Sequence, residues 1–190
     1  IADINFRLDP GAGTCDNTIG NTNASVDHTF NSDLIFTLTS PSATTVTLIN
    51  SRGGGGNNFC LVTLDDDGAF PPTSTMSTAG AITGNFAPEN PLSAFDGQNA
   101  NGTWILNVSD NAGIDIGSVR GFSLIITSVS PTMNPVPNDT VCAGSLHPAI
   151  NFTSPTAGVT YAWTNSNPTI GLAASGTGNI PAFSSVNSGT

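Results

Sequence analysis

The sequence predicts an all-β protein, a jelly roll or β-sandwich followed by a second, shorter sandwich. Three observations carry this expectation. Apolar residues alternate with polar ones at a period of two, and no stretch keeps the three-and-four spacing of an amphipathic helix. Clusters of Gly, Pro, Asn and Asp break the alternating runs at short intervals, as reversals between antiparallel strands require. After Thr127 the texture changes, and a proline-rich stretch separates one set of strands from another.

Taken in order, "DLIFTLTS" places Leu34, Phe36 and Leu38 on one face and Asp33, Ile35, Thr37 and Thr39 on the other. "SPSATT" reads as a turn, and "TVTLIN" returns with Val46 and Leu48 in phase. "TWILNV" brings Trp104, Leu106 and Val108 together, and "GFSLIIT" does the same for Phe122, Leu124 and Ile126. Such strands pack on one side only and build a sandwich or jelly roll over residues 1–128. Residues 129–138 form a connector, within a stretch "SVSPTMNPVPNDT" that holds Pro131, Pro135 and Pro137. A second, Ig-like unit spans 139–190, with strands around "AINFTS" and "VTYAWTN", where Val159, Tyr161 and Trp163 alternate inward. An Ig-like sandwich needs about 100 residues and only about 50 are present here. The unit is therefore expected to lack its last strand, which either follows in a longer protein or comes from elsewhere.

Composition narrows the chemistry. Charged residues make up 8% of the 190-residue chain, against about 25% in ordinary domains. Lys is absent, Arg7, Arg52 and Arg120 are the only cations, and thirteen acids give a net charge of −10. Such a surface repels phosphate backbones and anionic lipids, so neither nucleic-acid binding nor membrane association is expected. No apolar run reaches the length of a membrane-spanning helix. The opening "IADINFRLDP" lacks the basic and apolar regions of an export signal, which is expected to have been removed or to lie outside the chain. Thr, Asn and Gly in place of charge suit a secreted β protein.

Candidate sites were weighed against plain structural roles. Nucleophilic hydrolysis needs a base, and the histidines are His28, beside Asp27, and His147; strand neighbours point to opposite faces, so a structural role is expected for both. "SRGGGGNN", Ser51 to Asn58, lacks the lysine of a phosphate-binding loop and reads as a flexible connection. Asp65, Asp66 and Asp67 in "LDDDGAF", together with Asp110 and Asp115, are the candidate calcium ligands, because calcium takes several carboxylate oxygens on loops. No other cofactor is expected. Glu89, the single glutamate, has no evident carboxylate partner for glycoside hydrolysis. Sugar binding would need exposed aromatics, while Trp104 and Trp163 fall on inward phases. Three cysteines leave the pairing open: Cys15 and Cys60 are the candidate disulfide, and if they bond, Cys142 is expected as a small buried apolar side chain.

The run "HTFNSDLIFTLTSPSATTVTLI", followed by "LDDDGAF" and "GNFAPENPLSAFDGQNANGTWILNVSDNAGIDIGSVRGFSLIIT", resembles the P-domain of proprotein convertases, over roughly residues 1–128. His28-Thr29, Asp33-Leu34, Ser40-Pro41, Pro88, Pro91-Leu92, Gly102-Thr103-Trp104 and Asp110 carry the likeness. The resemblance implies a jelly roll in which His28 and Asp33 belong to a structural strand motif and the Trp104 strand enters the core. It also implies an accessory domain that follows and stabilises a subtilisin-like catalytic domain, none of which is contained in these residues. The tail from "VPNDTVCAG" to "IPAFSSVN" resembles the PKD-like, Ig-type repeats of large secreted and surface proteins of Bacteroidota, through Cys142, Trp163, Ile170-Gly171-Leu172 and Phe183. That resemblance implies an adhesin or other surface protein exported by the type IX route. "DTV", Asp139 to Val141, is similar to the O-glycosylation motif of those bacteria, which makes Thr140 a candidate acceptor.

The functional expectation is a non-catalytic structural or adhesive module pair of a secreted or cell-surface multidomain protein. Its partners would be other domains of the same protein or copies of itself, and an extracellular fibre assembled by strand complementation is the specific form. The rival expectation is the C-terminal accessory region of a subtilisin-like serine protease.

Overall fold

In the computed structural model, which describes residues 1–187, alternation in sequence becomes alternation in burial. Nine strands build the first unit, Ile1–Ser128: β1 (Asp3–Leu8), β2 (Val26–His28), β3 (Leu34–Thr39), β4 (Thr45–Asn50), β5 (Phe59–Leu64), β6 (Ile82–Phe86), β7 (Ile105–Asp110), β8 (Gly117–Val119) and β9 (Phe122–Thr127). Ile4, Phe6 and Leu8 are buried along β1 while the residues between them are half-exposed, and Leu34, Phe36 and Leu38 repeat the pattern in β3.

Two sheets result. In the larger, β1 pairs antiparallel with β5 and β9, β2 pairs with β5 and β8, and β6 joins β5 in parallel. Val26 pairs with Phe59 and Val119, and Leu8 with Val62 and Phe122, so β5 is the neighbour that β2 and β1 have in common. The smaller sheet runs β4-β3-β7. The inward side chains of both sheets form a single apolar cluster, within which Phe36 meets Phe59 edge-on at 5.2 Å. This is the sheet-on-sheet arrangement that period-two patterning calls for. Along one flank Trp104, Leu106, Val108, Phe122, Leu124 and Ile126 are only partly buried against the cluster.

Five of these strands lie outside the segments expected from the sequence. β5 carries Phe59, Cys60, Leu61 and Val62 in succession, and Leu61 alone of the four is exposed. β6 has apolar residues only at its two ends. Residues 9–25 form no strand and are tied to the sheet by a disulfide between Cys15 and Cys60, whose Cα atoms are 5.6 Å apart.

The second unit starts at Val129 and holds β10 (Leu146–His147), β11 (Ala162–Thr164), β12 (Ser175–Thr177) and β13 (Phe183–Ser184). β10 pairs with β13 and β11 with β12, each antiparallel, and Ile150 bridges Ile180. "AINFTS" contributes only that bridge, and "VTYAWTN" pairs only over Ala162–Thr164. The proline-rich stretch is part of this unit and is bonded to it: the Asn134 N–H donates to the Thr153 carbonyl at 2.9 Å and its side-chain amide to Thr153 Oγ1 at 2.7 Å. Trp163 is half-buried, and its indole nitrogen is buried without a partner among the described residues. The expectation that the unit lacks its last strand bears on the chain's end, where residues 188–190 lie outside the described residues.

Candidate functional site

His28 is where the first unit gathers its polar groups. It ends β2, 2% exposed, because alternation from Val26 turns its ring inward. Asp27, one residue earlier, faces the other way and accepts the Gly20 N–H at 3.1 Å. Nδ1 of His28 lies 3.2 Å from the Phe30 N–H and 3.0 Å from the Phe30 carbonyl, and Nε2 lies 3.3 Å from Asp110 Oδ2. With a proton on Nε2 the ring donates to Asp110 and accepts the Phe30 N–H, and with one on Nδ1 it donates to the Phe30 carbonyl. Both nitrogens are thus occupied by structural partners, which leaves none to take a proton from a nucleophile.

The acidic loop after β7 reverses the chain around this histidine. Asp110 Oδ1 accepts the Ala112 N–H, and the Asn111 N–H reaches back to the Asp33 carbonyl at 2.9 Å. The Ala112 N–H, and after it the His28 ring, hold the Asp110 carboxyl below the usual carboxylate range. Asp115 accepts the Thr29 hydroxyl. Gly117 then lets β8 approach β2, since a Cβ there would stand 2.1 Å from the Asp27 carbonyl oxygen and 2.8 Å from the His28 ring. A cavity of about 150 Å³ beside the ring is lined mostly by Val26, Leu34, Val108 and Val119, and its volume suits water better than an organic substrate, whose pockets run to about 300 Å³ and more.

The five aspartates named as calcium candidates are spread over two loops, and Asp65, Asp66, Asp110 and Asp115 accept from protein donors. Asp65 accepts the Asp67 N–H at 2.9 Å, and Asp66 accepts the Ser93 N–H at 3.0 Å. Among the described residues no group of three or more His, Cys, Asp or Glu is arranged to hold a metal ion. Asp65, Asp67 and Asp96 instead crowd Asp3, whose carboxyl is pushed up by burial first and by those charges second. Glu89 receives both Arg52 Nε, at 2.6 Å, and an Arg52 Nη, at 3.1 Å, and accepts the Thr73 hydroxyl at 2.7 Å. The Arg52 bonds hold it below the usual range, opposite to what a glycosidase acid requires.

Two asparagines that the sequence reading passed over organise the glycine-rich loop. The Asn31 N–H donates to the Gly56 carbonyl at 3.0 Å, Ser32 does the same to Gly54, and Asn31 Nδ2 reaches the Asn58 carbonyl. Asn58, at a φ of 69°, receives the His28 N–H on its side-chain oxygen and donates to the carbonyls of Asp16 and Thr18 at 2.8 Å. The loop read as flexible is therefore fixed by backbone bonds. Its signal was the Asn57-Asn58 pair after four glycines, since Asn, here Asn58, tolerates a positive φ that other side chains avoid.

The remaining candidates fall elsewhere. Trp104 is half-buried, donates its indole N–H to the Ala100 carbonyl and stands edge-on to Phe95 at 5.1 Å. Cys142 is a free, exposed thiol. Thr140 is exposed, with its N–H on Asp139 Oδ1 at 2.8 Å. His147 is 8% exposed and lies beside Asp139 in the second unit. No helix among the described residues is long and apolar enough to cross a membrane.

Against this geometry, a family model described as the proprotein convertase P-domain matches residues 21–126, more than half of the chain. No curated protein and no solved structure matches the chain.

Proposed function

Since the chain belongs to the proprotein convertase P-domain family, we propose that it serves as a non-catalytic accessory and structural module pair of a larger secreted or cell-surface protein. The single observation that carries this reading is the state of His28, whose two ring nitrogens are both spent on holding Phe30 and Asp110. The Cys15–Cys60 disulfide supports an oxidising, extracytoplasmic setting. The partners are then neighbouring domains of the same protein, and a subtilisin-like catalytic domain is the rival identity for one of them. Purified chain incubated with casein, synthetic peptides and polysaccharides is expected to give no turnover above buffer. Hydrolysis that disappears in His28→Gln would overturn the proposal.

A second reading is favoured by the packing of the second unit. Val141, Ala143, Ile170, Phe183 and Val186 line a cavity of about 400 Å³ beside sheets of two strands each. Such open sheet edges accept a strand from another molecule, and an extracellular fibre assembled that way would also serve adhesion. Electron microscopy of concentrated chain is expected to show ordered filaments under this reading. Monodisperse particles at every concentration sink it.

A further inference from the structure

From residue 129 to residue 190 the chain carries one acid, Asp139, and one histidine, His147, and no Lys, Arg or Glu. In a segment so empty of charge these two side chains stand against each other, with His147 Nε2 3.3 Å from Asp139 Oδ2. The ring of His147 is stacked on Phe183, its cross-strand neighbour, at 5.1 Å and 12°. Nδ1 lies 2.7 Å from the Pro148 carbonyl oxygen. Both ring nitrogens thus face an acceptor. An imidazole with a single proton can serve only one of them and must set a lone pair against the other.

We propose that His147 and Asp139 form a proton-dependent clasp, closed while the ring holds both protons and Asp139 is ionised. Loss of either ring proton turns one contact repulsive, and protonation of Asp139 removes the opposing charge. The clasp therefore holds while the ring is doubly protonated and lets go when the ring gives up a proton. What it fastens is the segment that leads from the proline-rich stretch into β10. The far end of that segment is already tied by Asn134 to Thr153, while Pro135 and Pro137 have no N–H to offer in between. From the elements packed around the ring, which are β13, the turn at Pro168–Ile170 and residues 134–139, Asp139 is the only charged group. The other titratable side chains of the unit are the exposed Cys142 thiol and the Tyr161 phenol, which packs against Phe152.

The substitution Asp139→Asn gives the test its sharpness. An asparagine amide can donate to a bare Nε2 while Nδ1–H still donates to Pro148, so this variant should close on the neutral ring and not on the charged one. Hydrogen exchange of the Asn134 and Gly144 amides in the full chain, corrected for intrinsic pH dependence, reads the segment directly. In the unaltered chain protection should fall about two- to five-fold between about pH 6 and pH 8, the scale of a partly exposed ion pair. In Asp139→Asn it should stay level or rise. Nitrogen NMR of the ring supplies a readout that needs no variant: under the proposal both nitrogens of His147 carry protons at about pH 6. A His147 ring with one bare nitrogen at that pH, or the same fall of protection in Asp139→Asn, overturns the clasp.

Discussion

The first unit encloses Phe6, Phe36, Phe59 and Phe95 among eighteen buried apolar side chains in one cluster, whereas the second, among its described residues, buries only the imidazole of His147. Both carry the same alternating texture and similar turn residues. They differ in how many strands face one another. Two sheets close over the inward residues of β1, β3 and β5, while β10–β13 and β11–β12 are pairs whose apolar residues stay half-exposed. A two-stranded ribbon is marginal by itself, and a unit of about sixty residues sits near the lower limit of self-sufficient cores. Alternation specifies which face a side chain takes; burial also requires a second layer to cover that face.

The largest effect should come from testing that difference directly. Phe36→Ala removes a fully enclosed ring that touches Phe59 and is expected to cost the first unit about 3–5 kcal/mol. Phe183→Ala, at a half-exposed ring, should cost the second unit about 1–2 kcal/mol at most. With only two tryptophans, Trp104→Phe and Trp163→Phe backgrounds let fluorescence follow each unit separately in urea. Equal losses would mean that the second core is sealed as well as the first.

Next in size is the disulfide. It spans 45 residues, and closing a loop of that length is worth about 2–4 kcal/mol through the unfolded chain. Reduction, or Cys15→Ser with Cys60→Ala, should lower the urea midpoint of the first unit and leave that of the second where it was. The same bond shows what could be read from sequence and what could not. Leu34, Phe36, Leu38, Trp104 and Leu124 announced their strands through strict alternation, and the P-domain resemblance came separately, from motifs such as Ser40-Pro41, Pro91-Leu92 and Gly102-Thr103-Trp104. β5 did not announce itself, because Phe59, Cys60, Leu61 and Val62 run together and period-two patterning is lost where both faces are apolar. A calcium site is hard to read from sequence for a related reason: Asp65, Asp66, Asp110 and Asp115 accept local N–H and O–H groups, and a count of acids does not distinguish such turns from a ligand cage. Nor did spacing show that Asn31 and Asn58 fix the glycine loop, since those bonds join His28 and Asn31 to Asn58 from distant parts of the sequence.

Acid should act on the first unit next. Asp110, Asp16 and Glu89 are all held below the usual carboxylate range, chiefly by the N–H groups of Ala112 and Thr18 and by Arg52. Their folded forms titrate below their unfolded ones, so the stability they contribute is complete above about pH 4 and is lost as pH falls through the folded values. Asp3 opposes them: its carboxyl is raised by burial and by Asp67, and protonation relieves it. Asp110→Asn should lower the melting temperature at neutral pH by about 2–4 °C and flatten the decline in acid. A decline as steep as that of the unaltered chain would assign the acid sensitivity to Asp16 and Glu89.

The smallest effect tests the loop that returns β7 to β8. Ile114 is fully exposed and sits at a φ of 93°, a region that β-branched residues avoid because Cβ meets the neighbouring carbonyl. Nothing packs on its side chain to repay that cost, whereas Asp110 and Asp115 on either side anchor the loop to His28 and Thr29. Two terms oppose each other in Ile114→Gly. Relief of the strained backbone gains about 1–2 kcal/mol, and the freer unfolded chain loses about 0.5–1 kcal/mol. The net should be a stabilisation of about 0.5 kcal/mol, visible as a small rise in the urea midpoint of the first unit alone. A fall in its place would mean that the Ile114 side chain holds the reversal together, and that the first unit too depends on contacts outside its closed core.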